Sequence, residues 1–283
     1  KIAFQNNKID LIEAESIGDL IHAETELQRQ QAIKLVQGSA SNYYNGLREK
    51  LIKSLAYIEA KIDFAEDDLP ASVLKQVQKS IKDIHSDIKK ILENNKVGEK
   101  IRDGFKVSII GDVNAGKSSL LNLLSKRDVA IVSEEEGTTR DVIETYLNID
   151  GYPVILADTA GIRASRNEVE KKGISLAISK SRESDLNIIM IDNSSKLINK
   201  KIQNLINEDS IVVLNKSDID SNLNHNFKES ILVSIKNNQN IDQLINRIKT
   251  KLSKKFITSY DVLITRERHR QKLTACLKEI DSF

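Results

Sequence analysis

The segment that most constrains this chain is Gly111 to Ser118, which fits the phosphate-loop pattern G-x-x-x-x-G-K-[ST]. A β-branched run precedes it and a helix-forming run follows it. Strand, glycine loop and helix in that order are what a phosphate-binding loop requires, because backbone N–H groups and the helix N-terminus face the anion. The segment predicts a nucleotide-binding α/β domain, with Lys117 on the β- and γ-phosphates and the Ser118 hydroxyl on Mg²⁺. The alternative is a chance glycine-rich turn, which the flanking runs disfavour.

A second motif indicates which base is bound. The apolar run 211–214 ends in Asn215-Lys216-Ser217-Asp218. A carboxylate at a strand end can accept both N–H groups on the pairing edge of guanine, whereas adenine would leave a buried acceptor unpaired. The run 231–236 is a further strand ending in a loop that would touch the base. We therefore expect guanine specificity.

Two more segments complete the pattern of a GTPase domain. An apolar strand ends in Asp158-Thr159-Ala160-Gly161, where Asp158 would hold Mg²⁺ through water and the Gly161 N–H would face the γ-phosphate. Upstream, the polar loop 136–141 is placed to be the first switch, with one threonine hydroxyl completing the Mg²⁺ shell. Five motifs in this order predict a GTPase.

The pattern of apolar residues divides the chain into three parts. Apolar residues at helical spacing predict a helical domain over 1–103, and the tail 254–283 is predicted to complete it. Between them, the GTPase domain is predicted over 104–253, as a mostly parallel sheet with helices on both faces. Its predicted strands are 106–111, 142–149, 153–158, 186–192, 211–215 and 231–235, and its predicted helices are 117–126, 169–182, 196–207 and 240–252. The fold class is thus a phosphate-loop α/β domain inserted into an all-α domain.

Composition limits the cellular compartment and the classes of partner that the chain is expected to have. The chain has 283 residues, a formal net charge of +2 and a single cysteine, Cys276. One cysteine excludes an internal disulfide and fits a reducing cytoplasm. No apolar run approaches the ~18 residues of a membrane span, so no membrane partner is expected. The small net charge does not indicate a nucleic-acid binder, and the basic runs near 247–251 and 266–270 favour solvated helix faces.

The same residues resemble a known family, the MnmE (TrmE) tRNA-modification GTPases. The resemblance is carried by the phosphate loop continued to Asn122, by Gly137-Thr138-Thr139-Arg140-Asp141 and by 158–163. The flanking helical pieces 3–15 and 266–269 are specific to this family, so the resemblance covers nearly the whole chain. It implies that GTP hydrolysis drives or times carboxymethylaminomethyl modification at C5 of the wobble uridine of tRNA. The implied partners are the flavin-dependent protein MnmG, tRNA and a second copy of the chain, paired through GTPase domains when K⁺ binds.

The resemblance also implies roles for individual residues. Mg²⁺ would be held by Ser118 and Thr139, and K⁺ by Asn114, Ser133, Thr138 and the Glu135 carbonyl. Lys8 matches a lysine that reaches a tetrahydrofolate derivative bound by the family's N-terminal domain. The residues expected to bind GTP or GDP are Asn114, Ala115, Gly116, Lys117, Ser118, Ser119, Ser133, Glu134, Glu135, Glu136, Gly137, Thr138, Thr139, Asp158, Thr159, Ala160, Gly161, Asn215, Lys216, Ser217, Asp218, Ser234, Ile235 and Lys236.

The expected chemistry differs from that of Ras-like enzymes. In Ras-like enzymes a glutamine after the Asp-x-x-Gly motif positions the attacking water. In this chain that position is occupied by Ile162, whose apolar side chain cannot position a water molecule. A monovalent cation held by Asn114 would supply positive charge where negative charge develops. The family's catalytic acid falls on Glu170, which would orient the attacking water through another water. The residues alone leave Glu170 evenly balanced between that role and an exposed carboxylate at a helix start, and the resemblance favours catalysis.

Some features depart from the family and leave alternatives open. Asp112 and Val113 replace the usual Arg and Pro, and we expect the folate-binding domain and the C-terminal Cys-Ile-Gly-Lys end to be absent from the chain. One alternative is a ribosome-assembly GTPase of the same branch, although neither a second GTPase domain nor a K-homology domain is seen. The other is a scaffold that binds guanine nucleotide without useful turnover, which Ile162 favours.

Overall fold

The computed structural model describes residues 2–64, 72–93, 96–127, 130–131, 144–157, 178–195, 198–220, 227, 229–256 and 262–282. The chain divides into two compact units. Residues 1–23, 28–102 and 259–283 form the helical unit, and residues 24–27 and 103–258 form the sheet unit.

The elements alternate in the way that the hydrophobic pattern predicts. In chain order they are α1 (Ile2–Gln5), α2 (Leu11–Ile21), α3 (Glu26–Val36), α4 (Ser39–Asp63), α5 (Ser72–Glu93), α6 (Val97–Asp103), β1 (Phe105–Gly111), α7 (Lys117–Lys126), β2 (Ala130–Ile131), β3 (Glu144–Ile149), β4 (Tyr152–Ala157), α8 (178–183), β5 (Leu186–Asp192), α9 (Lys200–Gln203), β6 (Ser210–Asn215), β7 (Ile231–Leu232), α10 (Ile241–Phe256) and α11 (Glu267–Ser282). No helix within the described ranges is long and apolar enough to cross a membrane.

The helical unit is built on α4, α5 and α11. Apolar residues of α5 recur at helical spacing, so one face of that helix packs inward. Burying these side chains removes apolar surface from water and supplies the main stabilisation of the unit. The cluster at its centre comprises Leu47, Ile84, Ile88, Ile264 and Leu273.

Charged pairs join α2, α6 and α11 within the same unit. Asp19 of α2 accepts hydrogen bonds from Arg266 at 2.9 Å and from Arg102 of α6 at 3.1 Å. Glu99 of α6 pairs with Arg270 of α11 at 3.3 Å. These carboxylates and guanidiniums are mostly shielded from water, so removing one partner would leave a poorly solvated charge.

The sheet unit contains a seven-stranded sheet in the order β2-β3-β4-β1-β5-β6-β7. The strands β4, β1, β5, β6 and β7 are parallel to one another. At one edge, β3 pairs antiparallel with both β4 and β2. The central strands β1, β5 and β6 are buried along almost their whole length. This burial is typical of parallel strands whose sheet is covered on both faces. Parallel strands place their carboxyl ends at one edge, where ligands of open α/β sheets bind.

This sheet confirms the predicted fold class of a phosphate-loop α/β domain with an all-α domain. Two predicted elements are shorter than expected. The helix predicted over 196–207 is reduced to α9, because Asn199 caps its start and the Asn207 side chain bonds the backbone N–H of Asp209, forming a turn instead. The strand predicted over 231–235 ends at Leu232, since Ser234 bonds Gln239 in a turn. Of the helix predicted over 169–182, only 178–182 falls among the described residues.

Candidate nucleotide-binding site

The phosphate loop connects β1 to α7 at the carboxyl edge of the sheet. Gly116 has a φ of +100° and comes directly before α7, a backbone conformation that favours glycine. A Cβ on Gly116 would lie 2.3 Å from the Asn215 Nδ2 atom, and one on Gly111 would lie 2.3 Å from the Met190 carbonyl oxygen. The close approach of β5 therefore requires glycine at 111, and the positive φ together with the nearby Asn215 side chain requires it at 116.

Lys117 lies across the loop that it follows in sequence. Its Nζ atom donates hydrogen bonds to the Gly111 and Asp112 carbonyl oxygens, both at 2.8 Å. A cation at this position, beside the positive end of α7, gives the loop an electrostatic preference for an anion. Ser118 and Ser119 on the first turn of α7 are exposed and so accessible to a ligand.

Asn215 connects the phosphate loop to the two base-side loops. It is the last residue of β6 and only 4 % exposed. Its Nδ2 donates to the Ala115 carbonyl oxygen at 2.8 Å, and its Oδ1 accepts from the Ile235 N–H at 3.3 Å. One buried amide thus holds three segments that are far apart in sequence, with both of its polar atoms satisfied.

Asp218 is oriented by the loop after β7. The Ser234 hydroxyl donates to its Oδ1 at 2.6 Å, and the Asn237 N–H donates to the same hydroxyl at 3.2 Å. The hydrogen bond from Ser234 holds the pKa of the exposed Asp218 carboxyl below its ordinary value. The carboxylate is therefore kept ionised, as an acceptor for two N–H groups must be.

A residue that the motifs did not predict, Asp192, lies at the same edge. It is the last residue of β5, and its Oδ2 is 2.5 Å from the Lys216 Nζ atom. The only sequence signal for it is an acidic residue ending an apolar strand, which no motif distinguishes from a turn.

The described part of the predicted site comes together, and the rest is not described. The phosphate loop, 215–218 and 234–236 meet at one edge of the sheet. Lys8 is an exposed residue just after α1 in the helical unit. The predicted residues that lie outside the described residues are Ser133, Glu134, Glu135, Glu136, Gly137, Thr138, Thr139, Asp158, Thr159, Ala160, Gly161 and Glu170.

The described residues include part of a suitable donor set for the expected cations. The Ser118 hydroxyl is a hard oxygen donor of the kind that Mg²⁺ takes. Asn114, which has a φ of +65°, has an exposed side chain with an amide oxygen able to face a cation. No group of three His, Cys, Asp or Glu side chains suited to a metal occurs among the described residues.

Comparison with known proteins places these features in a family. The family model described as MnmE helical domain matches residues 11–283. The tRNA modification GTPase MnmE of Pelagibacter ubique (strain HTCC1062) is 57 % identical over 286 residues, covering 100 % of this chain and 65 % of that protein. The protein of that name from Rickettsia bellii (strain OSU 85-389) is 43 % identical over 290 residues, with the same coverage. The chain thus spans 65 % of the length of these relatives.

Among solved structures, a variant of Era from Aquifex aeolicus bound to GDP and AlF₄⁻ is 27 % identical to the chain. The match covers 55 % of this chain and 57 % of that one, with a TM-score of 0.39.

Proposed function

The chain belongs to the MnmE family of tRNA modification GTPases, and on that premise we propose that its sheet unit binds GTP and hydrolyses it. The observation that carries the proposal is the pair of hydrogen bonds made by Asn215 to the phosphate loop and to Ile235. A loop that binds phosphates and a carboxylate that recognises a base are useful only at a fixed separation. Asn215 sets that separation from the end of β6.

Guanine selection rests on Asp218. Its carboxylate is exposed, ionised and oriented by Ser234. Guanine offers it two N–H donors, and adenine does not. A base that leaves such an acceptor unpaired loses several orders of magnitude in binding, about 10⁴-fold in sites built this way.

The proposed function also includes binding of Mg²⁺ and K⁺ at the nucleotide site. Ser118 and Thr139 would hold Mg²⁺, which neutralises charge on the phosphates when bound. Asn114, Ser133, Thr138 and the Glu135 carbonyl would hold K⁺. The exposed Asn114 side chain in the loop supports this part.

The remaining steps are proposed for Glu170 and for the whole protein. Glu170 would orient the attacking water through a second water, a role that Ile162 cannot fill. Acting in the cytoplasm as a homodimer with MnmG, the whole protein would use GTP hydrolysis in modifying the wobble uridine of tRNA. Lys8 would reach a folate derivative, the role of the lysine that it matches in the family.

Nucleotide binding by the purified chain tests the first step of the proposed function. Titration calorimetry with Mg²⁺ should give tight binding of GTP and GDP, and none of ATP at the same concentrations. Asp218→Asn, which replaces one acceptor oxygen by a donor amide, should weaken GDP binding by at least about a hundredfold. The matched control is Asp242→Asn, an exposed carboxylate on α10 that pairs with Arg127. Equal affinity for ATP and GTP would contradict the proposal.

A further inference from the structure

Lys216 of the base-side motif forms an ion pair with Asp192, a residue that belongs to none of the nucleotide-binding motifs. We propose that Asp192 is a positioning residue for guanine nucleotide binding. It would hold the Lys216 side chain in a fixed conformation, so that the side chain forms a packing surface for the base. This inference rests on the proposed function, since it assumes that the base lies beside Lys216.

The backbone of Lys216 is unusual for its residue type. Its φ is +66°, in the left-handed region that disfavours L residues with a Cβ. Such a conformation persists where neighbouring contacts impose it, and it concentrates at functional sites. Here the Ser217 N–H donates to the Val233 carbonyl oxygen at 3.0 Å, and the Lys216 side chain reaches Asp192.

Asp192 is itself held in place. Its Oδ1 accepts from the Ser194 N–H at 2.9 Å and from the Ser194 hydroxyl at 2.6 Å, which leaves Oδ2 directed at Lys216. The Asn193 N–H donates to the Asn215 carbonyl oxygen at 2.9 Å, and Asp192 is opposite Asn215 in the β5–β6 register. The carboxylate therefore has a fixed position relative to the base-side loop.

The pair is partly shielded from water. The side chains of Lys216 and Asp192 are 33 % and 20 % exposed. Burial by itself would raise the pKa of the Asp192 carboxyl, but hydrogen bonds from Lys216 and Ser194 outweigh it and hold the pKa below its ordinary value. The carboxylate is thus a constant partner for the ammonium group at neutral pH.

Tethering a lysine at its ammonium group changes what its stem can do. A free lysine side chain samples many rotamers, and ordering it on binding costs conformational entropy. With the ammonium group held by Asp192, the methylene stem is already fixed and can cover an apolar ring face. Asp192 would therefore raise nucleotide affinity without contacting the nucleotide. The Lys216 stem that it holds would pack on the face of the base, whereas Asp218 accepts hydrogen bonds from its edge.

A simple surface ion pair is the competing explanation, and such pairs contribute little on their own. The two explanations differ in how the effects of Asp192 and Lys216 combine. If Asp192 acts through Lys216, removing both groups costs no more than removing Lys216 alone. If the pair only stabilises the fold, its loss does not change nucleotide affinity in the folded protein.

The test compares GDP with inosine diphosphate, which lacks the 2-amino group, by titration calorimetry on the full chain with Mg²⁺. Asp192→Asn should weaken both nucleotides by the same factor, about tenfold, as expected for loss of a charge-assisted contact. The ratio of the two affinities should therefore stay constant. Lys216→Met should weaken GDP by a similar factor, and the double variant should match Lys216→Met. Ser194→Ala, which leaves the ion pair but loosens Asp192, should give a smaller loss in the same direction.

The matched control is Asp150→Asn. Asp150 pairs with Lys249 at the β3–β4 turn, at the opposite edge of the sheet, so its loss should not change GDP affinity. Unchanged GDP binding in both Asp192→Asn and Ser194→Ala would overturn the inference, as would additive losses in the double variant. If the unaltered chain failed to bind GDP, the proposed function would fall and this inference with it.

Discussion

At the scale of single residues, the geometry of the site depends on a few side chains that form hydrogen bonds within the protein. Asn215 forms hydrogen bonds with the phosphate loop and with Ile235, and Ser234 forms hydrogen bonds with Asp218 and with Asn237 of its own loop. The cost of losing such a residue exceeds that of one hydrogen bond, because the groups left behind are unpaired at a site that must keep its geometry. The effects of these residues should therefore appear in nucleotide affinity.

Ser234→Ala should make GDP binding sensitive to acid. The hydroxyl lowers the pKa of Asp218, so its removal lets that pKa rise toward the ordinary value. Since only the carboxylate accepts both guanine N–H groups, affinity should be severalfold weaker at neutral pH and should fall at a higher pH during acidification than in the unaltered chain. GDP titrations over a pH series measure this.

The matched control is Ser253→Ala on α10, whose hydroxyl donates to the Thr250 carbonyl oxygen at 3.0 Å. That variant should follow the unaltered chain at each pH. An identical pH profile for Ser234→Ala would contradict the role given to Ser234.

The motif residues could be predicted because each motif couples residue type to a fixed place on a strand–loop–helix unit. Asp192 could not, because its role depends on the alignment of β5 with β6, and a one-residue difference in register would direct it elsewhere. The two-residue length of β7 was not predicted either, because the backbone hydrogen bonds between Ser234 and Gln239 close a local turn that the apolar run 231–235 does not indicate.

At the scale of elements, the close approach of β1 and β5 determines how the phosphate loop leaves the sheet. The strands are in parallel register, with Gly111 opposite Met190. Only a residue without a Cβ allows the Met190 carbonyl to come this near. The first glycine of the motif therefore serves strand packing as well as the loop.

Gly111→Ala should destabilise the sheet unit by about 1–3 kcal/mol, because the new methyl group meets backbone rather than a movable side chain. Hydrogen exchange should report it as faster exchange of the amides of β1 and β5. Gly46→Ala is the opposite case. Gly46 is inside α4, and a Cβ there meets nothing within 4 Å, so this variant should stabilise that helix by about 0.5–1 kcal/mol. Equal effects of the two substitutions would contradict the packing argument.

At the scale of the whole molecule, the helical unit is assembled from segments on both sides of the sheet unit in sequence. Charged contacts connect α11 with the other helices of this unit: Arg268 pairs with Glu15 of α2 at 2.5 Å, and Arg270 pairs with Glu99 of α6 at 3.3 Å. One member of that network is His269, whose side chain is 11 % exposed. Arg268 donates to its Nε2 at 3.2 Å, while its buried Nδ1 has no hydrogen-bond partner among the described residues.

The helical unit should lose stability on mild acidification because of His269. Burial and the nearby Arg268 lower the pKa of His269 below its ordinary value of 6.5. The unfolded chain therefore takes up a proton first, so stability is full above about pH 6.5 and falls as the pH drops below it. His269→Gln should flatten this dependence in urea unfolding between about pH 7 and pH 5.

The control is Tyr44→Phe, which removes a hydroxyl that donates to the Leu263 carbonyl oxygen at 2.9 Å from a ring adjacent to His269. Burial raises the pKa of Tyr44 to about 12, so this hydroxyl does not titrate between about pH 7 and pH 5, and the variant should retain the slope of the unaltered chain. A slope left intact by His269→Gln would show that another group is responsible.

The proposed function includes GTP hydrolysis with a rate that depends on K⁺. The most direct test is GTP hydrolysis by the purified chain with Mg²⁺, in K⁺ and in Na⁺ at matched ionic strength, with gel filtration in GDP and aluminium fluoride. We expect faster turnover in K⁺, a dimer only in K⁺, and loss of both with Asn114→Ala. Equal, near-zero turnover in both salts with GTP binding retained would contradict the proposed hydrolysis and leave a nucleotide-binding scaffold.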